Sequence, residues 1–362
     1  MRILQLSLIS FRNITRMKWE LGSGRNIIVG DNGQGKTNLL EAIHTVFHLR
    51  SMRTSNDFKP LIHRGSQFFN IRCLLEEDNG KKADILLAYD GSRRKLTVDR
   101  NAVSPRDFMR NHPLVFFSPD QASLLAESPE MRRRLTDRFI FSLYPEYYDL
   151  LNEFKLTMRK RNVILKTGGD LKLVSAIDAS FAPLAYRVSR LRREFINKLA
   201  PHFRSQWIKI KPELEVLDIS YGGQGDVSSS RQMADLLMAN IETDRRTGRT
   251  GVGPNVEDIL FRFGNELSRH YLSHGERKIA SFCFNLAFAE LCRTKENIKP
   301  VMLIDDISSE LDSVTLSKTV RSVYEMDFQT IITTIDRSFL EQWSAGSDCW
   351  RIDSGTLTTV DI

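Results

Sequence analysis

Leu4, Leu6 and Leu8 alternate with Gln5 and Ser7, a period of two that predicts an opening strand. A turn follows at Ser10-Phe11-Arg12-Asn13, with Phe11 expected in the core. Asn26-Ile27-Ile28-Val29 is a short apolar run, the pattern of a buried strand. From Asn38 to His48 the period changes, and Leu39, Leu40, Ile43, Val46 and Phe47 share one helical face. Strands are predicted again at Phe68–Leu75, Ala83–Tyr89 and Lys95–Val98. Asp78-Asn79-Gly80 and Asp90-Gly91 separate them, so the stretch reads as an antiparallel meander. Leu114-Val115-Phe116-Phe117 is a further buried strand, ending at Ser118-Pro119-Asp120-Gln121.

The middle of the chain reads as helix. Ser128-Pro129-Glu130 is a helix start, with an N-cap, a proline at the first position and an early acid. Met131 to Phe141 continues it. Two long helices follow, from about Tyr147 to Lys166 and from about Ala176 to Trp207, with Gly168-Gly169-Asp170 as the reversal between them. Leu184, Val188, Leu191, Phe195 and Leu199 make one apolar stripe on the second, which Pro183 and Pro201 are expected to kink or shorten. This predicts an antiparallel helical hairpin. Tyr221-Gly222-Gly223-Gln224-Gly225 reads as a flexible turn. Residues 245–254 are basic and glycine-rich, and read as a mobile loop and a candidate DNA or phosphate contact.

After Ser273-His274-Gly275-Glu276, Ile279, Phe282, Cys283 and Leu286 mark one face of another helix. Val301-Met302-Leu303-Ile304 is an apolar strand delivering Asp305 and Asp306, and Thr330–Thr334 is a strand ending in hydroxyls. The order of elements predicts an α/β head in two parts, residues 1–118 and 245–362, with a helical arm inserted at 119–244.

Composition narrows the class. With 362 residues, 41% hydrophobic and 27% charged, the chain fits a globular protein of about two domains. No stretch approaches the roughly 18 apolar residues of a membrane span, so no membrane partner is expected. The four cysteines (Cys73, Cys283, Cys292, Cys349) show no C-x-x-C spacing and read as reduced, buried thiols of a cytoplasmic protein. The net charge is +7, and residues 119–211 carry 18 Lys and Arg against 10 Asp and Glu. The basic excess therefore lies in the helical arm. It suits a nucleic-acid face or a solvated helical surface, and Arg132, Arg133, Arg134, Arg159, Lys160 and Arg161 are the candidate DNA contacts.

The chemistry centres on Gly30-Asp31-Asn32-Gly33-Gln34-Gly35-Lys36-Thr37, which fits the phosphate-binding pattern G-x-x-x-x-G-K-[ST] between a strand and a helix. The glycines let backbone N–H groups converge on phosphate oxygens, and the helix N-terminus adds positive charge there. Lys36 is expected to reach the outer phosphates of ATP and the Thr37 hydroxyl to hold Mg²⁺. The loop from Arg50 to Asp57 is either solvated or a contact to base or phosphate, with Arg53 as its candidate. Ser273 and Gly275 open a helix and are phosphate-contact candidates. Asp305 is expected to hold Mg²⁺ through water and Asp306 to orient the attacking water, unless one of them only caps the next helix. Asp120 or Gln121 lies either beside the Mg²⁺ water shell or in a plain turn, and the hydroxyls that end the Thr330-Ile331-Ile332-Thr333-Thr334 strand are candidate γ-phosphate sensors.

Taken together, the P-loop, Leu272-Ser273-x-Gly275, Leu303-Ile304-Asp305-Asp306 and Ser309-Glu310-Leu311-Asp312 resemble the ABC-type ATPase head of SMC-like proteins, and more narrowly the RecF family. Phe11-Arg12-Asn13, Arg53-Thr54-Ser55-Asn56-Asp57, Phe117-Ser118-Pro119, Arg132-Arg133-Arg134, Arg161-Asn162 with Leu165-Lys166, and Gly253-Pro254 carry the resemblance across nearly the whole chain. It implies an ABC-type P-loop head with a mixed sheet and a helical arm. It also implies a slow ATPase in which ATP bound at Lys36 and Thr37 of one copy is capped by Ser273 and Gly275 of another. The dimer would close on duplex DNA or a single-strand/duplex junction and act with RecO and RecR to load RecA. Two departures stand out. Asn255-Val256-Glu257-Asp258 follows Gly-Pro where RecF-like sequences usually have His, and Glu276 stands where they usually have Gln. The alternatives are a nucleotide-regulated DNA-binding module with negligible turnover, or a transporter-type ATPase subunit. Transporter-type heads place a histidine where Thr334 falls.

Overall fold

The computed structural model of the protein describes residues 1–360 apart from 55, 111, 119–127, 169, 224–226, 269, 270, 297, 309 and 310. In chain order the first elements are β1 (Arg2–Phe11), β2 (Ile14–Glu20), β3 (Arg25–Val29), α1 (Lys36–His48), β4 (Phe69–Glu76), β5 (Lys82–Tyr89), β6 (Arg94–Val98), β7 (Asn101–Ala102), α2 (Pro105–Arg110) and β8 (Leu114–Phe117). Then come α3 (Pro129–Leu143), α4 (Tyr147–Lys166), α5 (Leu171–Ile210), β9 (Leu217–Gly222), α6 (Ser230–Ala239), α7 (Ile241–Thr247), β10 (Asp258–Phe263) and β11 (Glu266–Leu267). The last are α8 (His274–Glu296), β12 (Val301–Ile304), α9 (Ser313–Tyr324), β13 (Thr330–Thr334), α10 (Arg337–Trp343), β14 (Ser347–Asp353) and β15 (Thr356–Thr359). The chain divides into two compact units. One is Met1–Ala122 with Lys209–Lys211 and Ser281–Ile362, and the other is Ser123–Ile208 with Pro212–Ala280. Residues 245–280, read from the sequence as head, group with the helical unit.

The first unit holds two sheets. One is antiparallel, in the order β2-β1-β4-β5-β6-β7; its meander from β4 to β6 is as the turn residues predict, and the two-residue β7 extends it. The other is mixed, in the order β15-β14-β3-β13-β12-β8, parallel except for the pairing of β15 to β14. β3, β13 and β12 are consecutive, with Val29 opposite Thr334 and Ile332 opposite Ile304. Their carboxyl ends therefore lie in one row, the edge at which α/β sheets bind ligands. The apolar face of α1 (Leu39, Leu40, Ile43, Val46, Phe47) shares one core with Leu6 and Leu8 of β1 and Leu303 and Ile331 of the mixed sheet. Phe11 is fully buried and meets Phe69 edge-on.

The second unit is built on α4 and α5, which run antiparallel. Phe154 stacks on Phe181, and Arg161 pairs with Asp178 further along. Ser128 caps α3 through the Met131 N–H, with Pro129 at the first position. α5 runs unbroken for 40 residues, starting on an Asp170 cap ahead of the expected Ala176, and neither Pro183 nor Pro201 ends it. Each interior proline costs about 3 kcal/mol. Burial of Phe181, Leu184, Val188, Phe195, Leu199, Phe203 and Trp207 along the helix offsets that cost.

Two loop expectations are corrected here. Tyr221 and Gly222 end β9 and pair with β10, while 224 and 225 lie outside the described residues. Residues 245–254 are not a mobile loop. Its first residues close α7, and Thr250, Val252, Gly253 and Pro254 are buried. Asn162 Oδ1 accepts from the N–H and hydroxyl of Thr250, Asp244 Oδ1 accepts from the Gly251 N–H, and Arg192 donates to the Pro254 carbonyl. A segment with its main chain satisfied this way is a packed plug.

Candidate nucleotide site

The P-loop follows β3 as the sequence predicts. Gly35 sits at φ 117° as the N-cap of α1, and a Cβ there would lie 2.9 Å from Asn13 Nδ2. A Cβ on Gly30 would lie 2.6 Å from the Ile352 carbonyl oxygen. Both positions therefore require glycine. The loop is fastened from outside by Asn13, whose Nδ2 donates to the Gln34 carbonyl, and by the Gly355 N–H, which donates to the same oxygen. Asp31, Asn32 and Gly33 form its exposed rim.

Lys36 Nζ lies 2.6 Å from the Gly30 carbonyl and 3.0 Å from that of Asp31. Burial pushes its pKa below the usual lysine range, against the opposing pull of Asp306, Asp305 and Asp31. A desolvated ammonium gains from pairing with an anion, and the three neighbouring carboxylates call for a cation beside that anion. The Thr37 hydroxyl donates to Asp305 Oδ2 at 2.8 Å, joining residues 268 positions apart. Asp306, with φ 44°, is the turn residue after β12, and its N–H donates to the Thr333 hydroxyl. Ser308 donates to the Asp306 carboxylate, and the Ser308 and Thr334 hydroxyls are 3.1 Å apart. Neither Asp305 nor Asp306 caps α9; Asp312 does, through the Thr315 N–H.

Arg53 is exposed and donates to Asn38 Oδ1, while Asn38 donates to Asn13. Fully buried Glu41 on α1 takes both arms of Arg12 and the Ser51 hydroxyl, and lies 3.9 Å from Arg53. The loop after α1 is thus tied to the P-loop helix through Asn38 and Glu41. Sequence reasoning gave no site role to Asn13, Asn38 or Glu41, whose partners Gln34, Arg53 and Arg12 lie on other stretches of the chain, and took Thr333 only as one of the hydroxyls ending its strand. Asp120 and Gln121 lie outside the described residues, as do Ser309 and Glu310.

Ser273 and Gly275 belong to the second unit. Ser273 precedes α8 and its hydroxyl accepts from the Glu276 N–H, while Glu276 Oε2 accepts from the Ser273 N–H. This reciprocal capping box explains Glu276, since glutamate and glutamine both serve at that position. A Cβ on Gly275 would meet nothing within 4 Å.

The candidate DNA residues separate by burial. Arg161 is fully buried, pairing with Asp178 and Asp244 and donating to Thr250. Arg132 pairs with Asp258 through two bonds, and half-buried Arg133 donates to the Glu257 carbonyl. The expectation of a DNA contact is corrected for Arg161 and Arg132, whose hydrogen-bonding capacity faces inward. Arg134, Arg159 and Lys160 are exposed. The departure after Gly-Pro is structural here, because Asp258 holds Arg132 and buried Glu257 accepts from the Ser189 hydroxyl. Among the described residues no helix is long and apolar enough to cross a membrane.

Comparison with known proteins agrees with this geometry. Residues 2–356 match the family described as RecF/RecN/SMC N terminal domain. A DNA replication and repair protein RecF of Streptococcus equi subsp. zooepidemicus (strain H70) is 30% identical over 99% of this chain and 98% of its own length. One from Myxococcus xanthus (strain DK1622) is 28% identical over 97% and 95%. Among solved structures, a recombination mediator protein RecF bound to ATP in the RecFOR pathway superposes with a TM-score of 0.86 at 26% identity, covering 99% of this chain and 97% of that one. An Smc head bound to the C-winged helix domain of ScpA shares the fold, with a TM-score of 0.60 at 15% identity over 100% of this chain and 98% of that one. With its P-loop and paired acids on one sheet edge and its likeness running end to end, the chain belongs to the RecF family, whose heads have the SMC-like ABC ATPase fold.

Proposed function

We propose that the protein is an ATP-dependent DNA-binding protein of recombinational repair and replication, a clamp that closes as a dimer on gapped or junction DNA. The observation that carries the nucleotide reading is the meeting of Thr37 with Asp305 beside Lys36. One hydroxyl and one carboxylate are a fitting donor set for Mg²⁺, which takes few protein oxygens and keeps its waters and substrate phosphates. Bound there, Mg²⁺ would neutralise charge between the outer phosphates. Lys36 and the loop N–H groups hold those phosphates, and Arg53 contacts the nucleotide from the rim. Asp306 orients the attacking water. Its carboxylate is one methylene shorter than a glutamate, so turnover is slow.

Each site is completed by Ser273 and Gly275 of a second copy, giving a two-fold dimer with two nucleotides. Gly275 supports this. The chain's own packing does not need a glycine there, and glycine in a helix costs about 1 kcal/mol. An open glycine leaves room for close approach from outside. In the arm, exposed Arg134, Arg159, Lys160, Arg187 and Arg190 supply the phosphate contacts to DNA, so binding falls as salt rises. RecO and RecR are its partners in helping RecA loading, in line with the pathway named for the solved relatives.

Light scattering of the purified protein without nucleotide, with ATP, and with ATP plus duplex DNA tests this. A dimer that forms only with ATP, and is lost in Lys36→Ala and Ser273→Arg, is expected. A monomer under every condition overturns the clamp in favour of a nucleotide-regulated binding module.

A further inference from the structure

Thr333 lies on β13 and is fully buried, yet its hydroxyl serves both acids of the neighbouring strand end. It donates to Asp305 Oδ1 at 2.6 Å and accepts the Asp306 N–H at 2.9 Å. The polarity of this relay is fixed, because a carboxylate only accepts and an N–H only donates. One oxygen of Asp305 is therefore committed to Thr333, while the other accepts from Thr37. The same hydroxyl holds the backbone of Asp306 at φ 44°, the left-handed region where a residue with a Cβ is strained. The Ile307 N–H, which donates to the Thr333 carbonyl at 3.3 Å, closes the turn on its other side. The next residue, Thr334, reaches Ser308, which donates to the Asp306 carboxylate.

We propose that Thr333 is a positioning residue of the nucleotide site: its hydroxyl turns Asp305 toward Thr37 and fixes the strained turn that presents Asp306. Ser308, in contact with Thr334, then aims the Asp306 carboxylate. Thr333 acts through the two acids it bonds. The inference rests on the nucleotide reading of the P-loop, and its test separates the two.

The test is the fluorescence of a mant-labelled ATP titrated with Mg²⁺, with thermal melting read beside it. Thr333→Val keeps the volume and removes the hydroxyl. It is expected to need about tenfold more Mg²⁺ for half-maximal signal, the scale of losing a hydrogen-bond partner behind a metal ligand. Its affinity for nucleotide in EDTA is expected to match the wild type, and Thr333→Ser to restore the wild-type Mg²⁺ requirement. Should valine unfold the protein, Thr333→Cys carries the same expectation. Wild-type protein that binds nucleotide with Mg²⁺, beside a valine variant of identical Mg²⁺ dependence, overturns the positioning role alone. Equal weakening with and without Mg²⁺ also overturns it, since that is a structural effect. No Mg²⁺-dependent binding by wild-type protein overturns the nucleotide reading and this inference together.

Discussion

Charges are held differently in the helical unit and at the nucleotide-site groups Lys36 and Asp305, although the head also has a buried ion pair in Arg12 and Glu41. In the helical unit Arg192, Arg161 and Arg132 are buried against carboxylates. Arg192 takes both oxygens of Asp137, the Tyr221 hydroxyl and the Pro254 carbonyl. Burial works against its charge, but Asp137, Tyr147 and Tyr221 together outweigh that and hold its pKa well above the usual range. Around the P-loop, hydroxyls and main-chain carbonyls do the holding. Lys36 rests on the Gly30 and Asp31 carbonyls, and Asp305 on the Thr37 and Thr333 hydroxyls. A charge neutralised by a buried opposite charge is locked, because removing either partner strands the other. A charge resting on neutral dipoles can exchange them for an opposite charge at little cost, Lys36 for a phosphate and Asp305 for a cation. The first arrangement makes a rigid arm and the second makes a site.

Single substitutions sharpen that contrast. Arg192→Met leaves Asp137 buried without its cation and is expected to cost about 3–5 kcal/mol in urea unfolding. Arg161→Met strands Asp178 and Asp244 and belongs in the same range. In the head the loss falls on function. Lys36→Ala is expected to lower ATP turnover by about 10²-fold or more while moving stability by less than about 1 kcal/mol. Asp306→Gly abolishes turnover, yet melts at or above the wild-type temperature, because glycine relieves the left-handed strain of about 1–2 kcal/mol. If Lys36→Ala unfolds the protein as readily as Arg192→Met, the contrast fails.

Smaller effects follow. Arg159→Gln with Lys160→Gln is expected to flatten the salt dependence of DNA binding, the log–log slope falling by roughly 0.9 for each phosphate no longer neutralised, with no change in unfolding. Asp312→Ala removes the N-cap of α9 at a cost of about 1 kcal/mol. The Thr315 hydroxyl and N–H hold the Asp312 carboxyl below the usual range. Its contribution is thus present above the unfolded pKa of about 3.9 and lost as pH falls through the lower folded value. The two proteins should differ at neutral pH and converge in acid.

The legibility of the chain follows the same division. The P-loop, the strand carrying Asp305 and Asp306, the meander and the Ser128 cap are written in runs of a few residues, and the sequence predicts them. The paired arginines are not local. Arg161 meets Asp244 across 83 positions and Arg192 meets Asp137 across 55, so a basic segment that reads as a DNA face partly turns inward. The 245–254 stretch misleads for the same reason, since its glycines and arginines suggest mobility while Asn162, Asp244 and Arg192 pin it. The strand's terminal hydroxyls are legible, but the bond of Thr333 to the two acids is hidden for a different reason. In a strand of threonines and isoleucines nothing marks one hydroxyl, and only the pairing of β13 with β12 places it beside the acids. A threonine pair at the carboxyl end of a parallel strand, next to a strand ending in two aspartates, is the signal that could have found it.

The claim on which the account turns is that one copy's Lys36 works with another copy's Ser273. Mixing Lys36→Ala protein with Ser273→Arg protein measures it directly. In a mixed dimer one site pairs an intact Lys36 with an intact Ser273, and the other carries both lesions. Each variant alone is expected to stay monomeric with ATP, and the mixture to form a dimer holding one nucleotide. A mixture that remains monomeric while wild-type protein dimerises, or a variant that dimerises alone with ATP, would contradict the shared site.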